Sequence, residues 1–209
     1  MAKTEAFDEH SERYEDWFEK NEYAYLSEVN VLKHLTPLRE RSIEIGIGSG
    51  NFALPLGIKL GVEPSKPMRD LARAKGLQVL DGVAESLPFQ DQTFHLVLMV
   101  TTICFVDDLK ASFVEAHRVL KEDGLLLLGF VDRSSPLGKT YEHRKHRSVF
   151  YREANFYSTA EVLALLAETD FHIETVLQTV FGNPRVISTI QDFKEGHGEG
   201  GFVAIQARA

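Results

Sequence analysis

The sequence has little cysteine and no long apolar run. It contains a single cysteine, Cys104, in 209 residues, which excludes an intramolecular disulfide framework and favours a reducing compartment. No apolar stretch approaches the roughly 20 residues that a membrane-spanning helix needs. The first residues also contain no signal-peptide core. We therefore expect a soluble cytoplasmic protein.

Positive charge is also scarce. The chain has 23 Lys and Arg against 31 Asp and Glu, for a formal net charge of −8. Because phosphate neutralisation dominates nucleic-acid binding, this balance argues against a nucleic-acid partner. It gives no reason to expect binding to an anionic membrane, and no spacing of His, Cys and carboxylates is typical of a metal cage. We therefore expect no nucleic-acid, membrane or metal partner, and the oligomeric state is left open.

A glycine-rich turn is the most informative feature that the chain does have. An apolar run ends at Glu44, and Gly46, Gly48 and Gly50 follow at alternate positions. Glycine lacks a Cβ and tolerates positive φ, so such a turn lets the backbone come close to a ligand. A second acid, Glu63, ends the next apolar run. A glycine turn after one strand and a carboxylate after the next predict a nucleoside cradle, with the acid accepting both ribose hydroxyls.

The order of apolar and polar stretches predicts the fold class. Strand-like and helical segments alternate from residue 41 to about 130, which indicates a parallel sheet with helices on both faces. Residues 51–56 leave room for only about two turns of a first helix. A capping box at 158–161 predicts the start of a later helix. Strand-like runs follow at 172–180 and 202–207.

The N-terminal segment, residues 7–35, has a helical pattern. Phe7, Tyr14, Trp17 and Phe18 recur at three-, four- and seven-residue intervals and form one aromatic stripe. One interpretation is an ordinary amphipathic helix that packs on the core. The other is a lid over the mouth of an active site.

Several motifs occur together in a characteristic order. EIGIGSG, GVEPS, GVAESLPF and RVLKEDG span residues 43 to about 130. Together they resemble the class I S-adenosylmethionine-dependent methyltransferases, in particular the small-molecule branch called type 11, and FDEHSERYEDWF resembles that branch's opening helix. The resemblance implies an α/β, Rossmann-like, doubly wound sheet of seven mostly parallel strands, with the last strand antiparallel and an N-terminal helical lid. One departure is His95, because the family usually has Asp after the equivalent of Phe94.

We expect a single domain in four parts. An N-terminal arm or lid would comprise residues 1–40, and the cofactor-binding core residues 41–130. Residues 131–157 would be a substrate-cap insertion, and residues 158–209 the C-terminal helix and strands. Ligands of doubly wound folds bind outside the carboxyl ends of the strands. Because the insertion leaves from that edge, we expect it to help roof the substrate pocket.

The resemblance also implies a cofactor, S-adenosyl-L-methionine, a product, S-adenosyl-L-homocysteine, and residues that bind them. Glu63 would bind the ribose, and Glu44 would orient the amino acid portion through water. The expected cofactor-binding residues are Glu44, Gly46, Gly48, Gly50, Glu63, Pro64, Ala84, Glu85, Val100 and Thr101. The expected substrate-binding residues are Tyr14, Trp17, Thr102 and Ile103. An acid in a polar loop is commonplace, so a structural role for Glu85 stays open.

No catalytic base stands out in the sequence. Holding a nucleophile in line with the methyl group can itself supply roughly 7–11 kcal/mol. His143, His146 and His197 lie in predicted loops and could accept a proton near neutral pH. Surface solvation explains these three histidines at least as well. Cys104 is interpreted as a buried small apolar side chain and not as a nucleophile.

Three other functions were considered. A nicotinamide- or flavin-dependent oxidoreductase would need a glycine where this chain has Asn51. A non-catalytic cofactor-binding module stays open, because a fold does not establish catalysis. An RNA or protein methyltransferase is disfavoured by the acidic balance. We therefore expect methyl transfer to a small molecule, with the acceptor and the accepting atom left open.

Overall fold

A mixed β-sheet forms the centre of the structure, a computed structural model that describes residues 3–36 and 41–209. Within the described residues the sheet has eight strands, in the order β3-β2-β1-β4-β5-β8-β6-β7. Their bounds are β1 (Ser42–Ile45), β2 (Leu60–Val62), β3 (Gln78–Leu80), β4 (Phe94–Val100), β5 (Leu120–Val131), β6 (His172–Thr179), β7 (Lys194–Glu195) and β8 (Phe202–Arg208).

The strand directions confirm the predicted fold class. Strand β1 pairs in parallel with β2 and β4, β2 with β3, and β4 with β5. Strand β8 runs antiparallel between β5 and β6. The short strand β7 adds an eighth member that pairs antiparallel with β6. Because β7 is two exposed polar residues, no apolar pattern marked it in the sequence.

The central strands separate two apolar layers. Successive residues of a strand point to opposite faces. In β5, Leu126 and Leu128 pack in one layer, and Leu125 and Leu127 pack in the other. Both faces of β4 and β5 are therefore covered, which is why these strands are almost continuously apolar.

Helices cover both faces of the sheet, as the sequence predicted. The described residues form α1 (Glu5–Glu9), α2 (Ser11–Lys20), α3 (Glu22–Leu35), α4 (Lys66–Ala74), α5 (Leu109–Val119), α6 (Pro136–Arg144) and α7 (Thr159–Glu168). Helices α5 and α7 contribute to the layer that contains Leu126. Helices α3 and α4 contribute to the layer that contains Leu127. This arrangement is a doubly wound α/β fold.

Two segments differ from the sequence-based expectations. Residues 51–57 form irregular turns instead of a regular short helix. Pro55 is the physical reason, because proline has no N–H and restricts the residue before it. The insertion contains helix α6, which was not predicted. Its local signal was present: Ser135 Oγ accepts a 2.9 Å hydrogen bond from Gly138 N, and proline occupies the first helical position.

The N-terminal arm is three helices and not one, with breaks at His10 and Asn21. Residues 1–2 and 37–40 of the predicted arm lie outside the described residues, and the four-part division of the chain stays a prediction.

No helix in the described ranges is both long and apolar enough to cross a membrane.

The predicted capping box is confirmed at the start of α7. Ser158 N donates to Glu161 Oε2 at 2.7 Å, and Glu161 N donates to Ser158 Oγ at 3.3 Å. We expect Ser158→Ala to lower the free energy of unfolding by about 1 kcal/mol, because one helix-end amide loses its acceptor. Urea unfolding measures the loss, with the exposed Ser86→Ala as the control. Equal losses in both variants would contradict this role for Ser158.

Candidate active site

A cavity of about 1260 Å³ opens at the carboxyl ends of the parallel strands. Its lining includes residues from the turns after four strands: Gly46 and Gly48 after β1, Glu63 and Pro64 after β2, Gly82–Glu85 after β3, and Thr101 and Thr102 after β4. This is the edge at which doubly wound sheets bind ligands. The volume exceeds the roughly 300–1,000 Å³ of a typical small-molecule pocket, so two ligands can fit side by side.

The carboxylate of Glu63 joins the turns after β1 and β2. Gly48 N donates to Glu63 Oε2 and Ser65 N donates to Glu63 Oε1, both at 2.9 Å. A carboxylate oxygen has a further lone pair after one such bond, so Glu63 can still accept two ribose hydroxyls. Gly46 and Gly48 have positive φ of 68° and 56°, which favours glycine at both positions.

The protonation of Glu63 reflects opposing influences. Burial raises the pKa of Glu63, while the amides of Ser65 and Gly48 and the guanidinium of Arg69 oppose that rise. Arg69 also holds the end of β2, because its Nη1 donates at 2.7 Å to the carbonyl oxygens of Glu63 and of Pro64. Taken together, the glycine turn and the Glu63 acceptor fit the nucleoside end of S-adenosylmethionine.

Most of the other predicted cofactor-binding residues also lie at the cavity. Pro64, Ala84, Glu85, Val100 and Thr101 are among its lining residues. Glu85 has a structural role as well, because its Oε1 accepts hydrogen bonds from the backbone amides just before α5.

Glu44 and Gly50 lie behind the cavity lining. Glu44 is fully buried, its Oε2 has no hydrogen-bond partner in the described part of the chain, and burial raises its pKa well above the ordinary value. Gly50 has a positive φ of 87°, a backbone conformation that favours glycine at this position whatever its role. A cofactor role for either residue stays a prediction.

Of the four predicted substrate-binding residues, three line the cavity and one does not. Tyr14, Trp17 and Thr102 line the cavity, whereas Ile103 is 1% exposed and packs in the core. The Thr102 hydroxyl lies 3.2 Å from Ile45 O, which fixes the chain after β4.

Cys104 next to Ile103 is buried, and burial raises the pKa of its thiol to about 12, as suits an inert apolar side chain.

The three candidate histidines do not line the cavity. His143 and His146 are exposed, and their sequence neighbours Arg144 and Arg147 line it instead. His197 Nδ1 lies 3.9 Å from Asp132 Oδ2, away from the glycine turn. A catalytic role for these histidines remains a sequence prediction with no support from their positions.

The N-terminal helices are attached by hydrogen bonds to residues next to the glycine turn and Glu63. Ser65 Oγ donates to Asp8 Oδ1 at 2.6 Å. Asn51 Nδ2 and Lys75 Nζ donate to the Glu15 carboxylate at 3.0 and 2.8 Å. The partners of Glu15 lie more than 30 residues away in the sequence, so no local pattern pointed to these contacts.

Aromatic side chains from separate segments form the remaining walls. The lining includes Tyr14, Trp17 and Phe18 from the arm, Phe105 after β4, and Tyr141, Phe150 and Tyr151 from the insertion. The rings of Tyr141 and Tyr151 stack at 5.3 Å, and those of Tyr14 and Phe150 meet edge to face at 6.0 Å. The arm and the insertion therefore touch each other across the cavity.

Sequence reasoning missed Glu28 of α3 completely. Its side chain lines the cavity and is 6% exposed. Burial raises its pKa to about 8, so it is mostly protonated at pH 7 in the structure as described. It makes no hydrogen bond or ion pair with another described residue.

Comparisons with known proteins give a consistent family. A family model described as a methyltransferase domain matches residues 43–128. An uncharacterised protein of Methanocaldococcus jannaschii is 43% identical over 201 residues, which cover 96% of this chain and 97% of that protein. A crystal structure from Thermotoga maritima, described as a SAM-dependent methyltransferase and possible histamine N-methyltransferase, is 48% identical with a TM-score of 0.95, covering 98% and 99% of the two chains. A malonyl-[acyl-carrier protein] O-methyltransferase of Geobacter sulfurreducens is 30% identical over 150 residues, covering 63% of this chain and 55% of that protein.

The buried Glu28 makes a specific prediction about pH and stability. Its pKa in the folded protein, about 8, lies above its ordinary value of 4.5, so the folded state holds this proton more tightly. Its contribution to stability is therefore complete below about pH 4.5 and is lost as the pH rises through 8. We expect Glu28→Gln to be more stable than the wild type, by a margin that grows from pH 5 to pH 9 to on the order of 2–4 kcal/mol.

Urea unfolding at pH 5, 7 and 9 measures this margin. Glu22→Gln, an exposed change on the same helix, is the matched control and should show no such trend. A constant difference between Glu28→Gln and the wild type across these pH values would show that Glu28 is not desolvated.

Proposed function

The chain belongs to the class I S-adenosylmethionine-dependent methyltransferases, and on that basis we propose that it methylates a small molecule bound in the same cavity as the cofactor. The observation that carries this proposal is the volume of the cavity, about 1260 Å³. A cavity of that size supports two small ligands in contact. One end contains the glycine turn and Glu63, and the aromatic walls surround the space beyond it.

The proposed cofactor site uses the residues around the glycine turn. Glu63 would accept hydrogen bonds from the ribose hydroxyls, and the backbone at Gly46 and Gly48 would lie against the methionyl portion. Ala84, Glu85, Val100 and Thr101 would line the adenine and amino groups. When bound, S-adenosylmethionine supplies an electrophilic methyl group and leaves as S-adenosylhomocysteine.

The proposed catalytic contribution of the protein is mainly positional. The cavity walls would hold an acceptor in line with the methyl group, which can supply roughly 7–11 kcal/mol. The arm and the insertion would exclude water while charge redistributes. We propose no general base, because no candidate histidine lines the cavity.

The relatives do not determine the acceptor. The Thermotoga maritima protein is described as a possible histamine N-methyltransferase, whereas the Geobacter sulfurreducens protein is described as acting on a carrier-bound malonyl group. We propose a free small molecule because the aromatic walls enclose a space of small-molecule dimensions. We also propose a cytoplasmic location, which the single cysteine supports.

A labelled-cofactor screen tests the proposed reaction. A panel of metabolites is incubated with the protein and S-adenosylmethionine that carries a labelled methyl group. We expect one chemical class to gain the label, and Glu63→Ala to abolish the gain. If the protein binds the cofactor but labels no compound, the non-catalytic binding module becomes the better interpretation. Labelling of RNA or protein alone would contradict the small-molecule proposal.

We expect Glu63→Ala to weaken cofactor binding by about 100-fold or more, because two hydrogen bonds to a charged group are lost. Calorimetric titration with S-adenosylhomocysteine measures the change, and circular dichroism checks that the variant is folded. The exposed Glu122→Ala serves as the control. Unchanged affinity in Glu63→Ala would refute the assignment of the ribose acceptor.

We also expect removal of the arm through Trp17 to reduce turnover by at least about 10-fold, because displacement of an aligned acceptor by about 1 Å can cost more than that. Turnover of the acceptor found in the screen is compared with urea unfolding of the same protein. A larger effect on turnover than on stability supports a lid. Full activity after truncation would mean that the arm is only structural.

A further inference from the structure

Glu28 occupies a position on α3 where packing alone calls for an apolar side chain. The buried residues Ala24, Val31, Leu32 and Leu35 follow the three- and four-residue spacing of a core-facing stripe, and Glu28 lies on the same stripe. An acid there costs stability unless it is paired. A buried polar group without a partner in a native protein therefore requires an explanation, and function is one such explanation.

The surroundings of Glu28 are aromatic and come from three parts of the chain. Burial is the main cause of the raised pKa values of Tyr25 on the same helix, Tyr141 on α6 and Tyr14 on α2. The charge of Glu28 contributes to all three. It also contributes to the raised pKa of Tyr151 in the insertion. Four phenol groups thus lie within electrostatic reach of one carboxyl group. Burial keeps all four neutral near pH 7.

No lysine or arginine among the described residues forms an ion pair with Glu28. Burial accounts for the raised pKa of Glu28, with no opposing contribution from a lysine or arginine. Six cationic side chains line the cavity, and none is paired with Glu28 in the described structure: Lys3, Arg13, Lys20, Arg144, Arg147 and Arg185. Arg185 instead influences Tyr141. The positive charge that would complete this site is therefore not supplied by the described side chains.

A carboxyl group among aromatic rings suits one class of ligand. The faces of aromatic rings attract organic cations, and a desolvated cation–π contact contributes about 2 kcal/mol or more. A carboxylate adds a charge-assisted hydrogen bond to an ammonium N–H. A carboxylate ligand would be disfavoured by the negative faces of the rings, and a neutral alcohol would gain neither the ion pair nor the cation–π contact.

We propose that Glu28 binds the methyl acceptor and that this acceptor is a small basic amine, with its ammonium group against Glu28 and the surrounding tyrosines. This inference rests on the proposed function, because it assigns the aromatic part of the cavity to the acceptor. Besides burial, the charges of both Glu63 and Glu28 contribute to the raised pKa of Tyr14. Tyr14 therefore lies within electrostatic reach of both carboxyl groups.

The same arrangement links amine binding to proton release. Glu28 is largely protonated below pH 8, and an ammonium group beside it favours the carboxylate. The tyrosines on α2, α3, α6 and the insertion, whose pKa values respond to Glu28, stay neutral in this range because burial raises their pKa values. The lysines and arginines that line the cavity stay charged throughout it. Amine affinity should therefore rise between about pH 6 and pH 8, with one proton released for each amine bound.

The fluorescence of Trp17 gives a direct test of amine binding. Trp17 is the single tryptophan of the chain and lines the cavity. The full-length protein, saturated with S-adenosylhomocysteine, is titrated with 2-phenylethylamine, histamine, 2-phenylethanol and phenylacetate. We expect the amines to bind about 10-fold or more tighter than the alcohol, and phenylacetate to bind weakest.

Two variants of α3 test the role of Glu28. We expect Glu28→Gln to weaken amine binding about 10- to 100-fold, with little change for the alcohol or for S-adenosylhomocysteine. The exposed Glu22→Gln should behave as the wild type. The proposal is overturned if the amines bind no better than the alcohol, or if Glu28→Gln keeps the preference for amines.

A second measurement does not depend on a variant that folds. Calorimetry of wild-type protein with the tightest-binding amine, in two buffers of different ionisation enthalpy, counts the protons released. Release of close to one proton at pH 6.5 supports the proposal, and release of none overturns the link between amine binding and proton release. Transfer of label to a neutral or anionic acceptor, undiminished in Glu28→Gln, would also overturn it and leave the proposed function intact. Amine binding that depends on Glu28, without transfer to any compound, would refute the proposed function and leave the amine site standing.

Discussion

The hydrogen bonds of the Glu63 carboxylate join the two turns that form one end of the cavity. One oxygen accepts the amide of Gly48 and the other accepts the amide of Ser65, so the turns after β1 and β2 have a fixed separation. Burial alone would favour the neutral acid, and the two amides and Arg69 oppose that tendency. The same contact brings the backbone of the glycine turn to the cavity surface. Disruption of this contact would release both turns at once.

The other walls of the cavity are carried by segments outside the sheet. The arm is attached through Asp8 to Ser65 and through Glu15 to Asn51, and helix α6 comes from the insertion after β5. Such segments can change without altering the strand order, which is why one fold accommodates many acceptors. In this protein their aromatic residues and Glu28 enclose the same space. If the acceptor binds in this space, as proposed, its chemistry would be decided by the arm, α3 and the insertion.

Local patterns predicted much of the fold and part of the site. The alternation of strands and helices, the glycine turn with Glu63, and the Ser158 capping box all rest on interactions between residues close in sequence or on simple periodicity. Two segments departed from the prediction. Pro55 prevents the short helix expected after the glycine turn. Helix α6 begins at Ser135–Pro136, a local signal for a helix start within a segment expected to be an irregular insertion. Strand β7 forms only because its loop returns to β6, and two exposed residues have no pattern of their own.

The sequence by itself determined the fold class, the family, the cofactor and the pair of turns that forms the predicted nucleoside cradle, since these depend on periodicity and on motifs with fixed spacing. Only the tertiary structure decided which side chains meet across the cavity. It placed Arg144 and Arg147 at the cavity and their neighbours His143 and His146 outside it. It also buried Glu28, one of 31 acidic residues, among tyrosines. The reason is physical, because burial and pairing depend on elements that are distant in the chain and pack together only in the folded state.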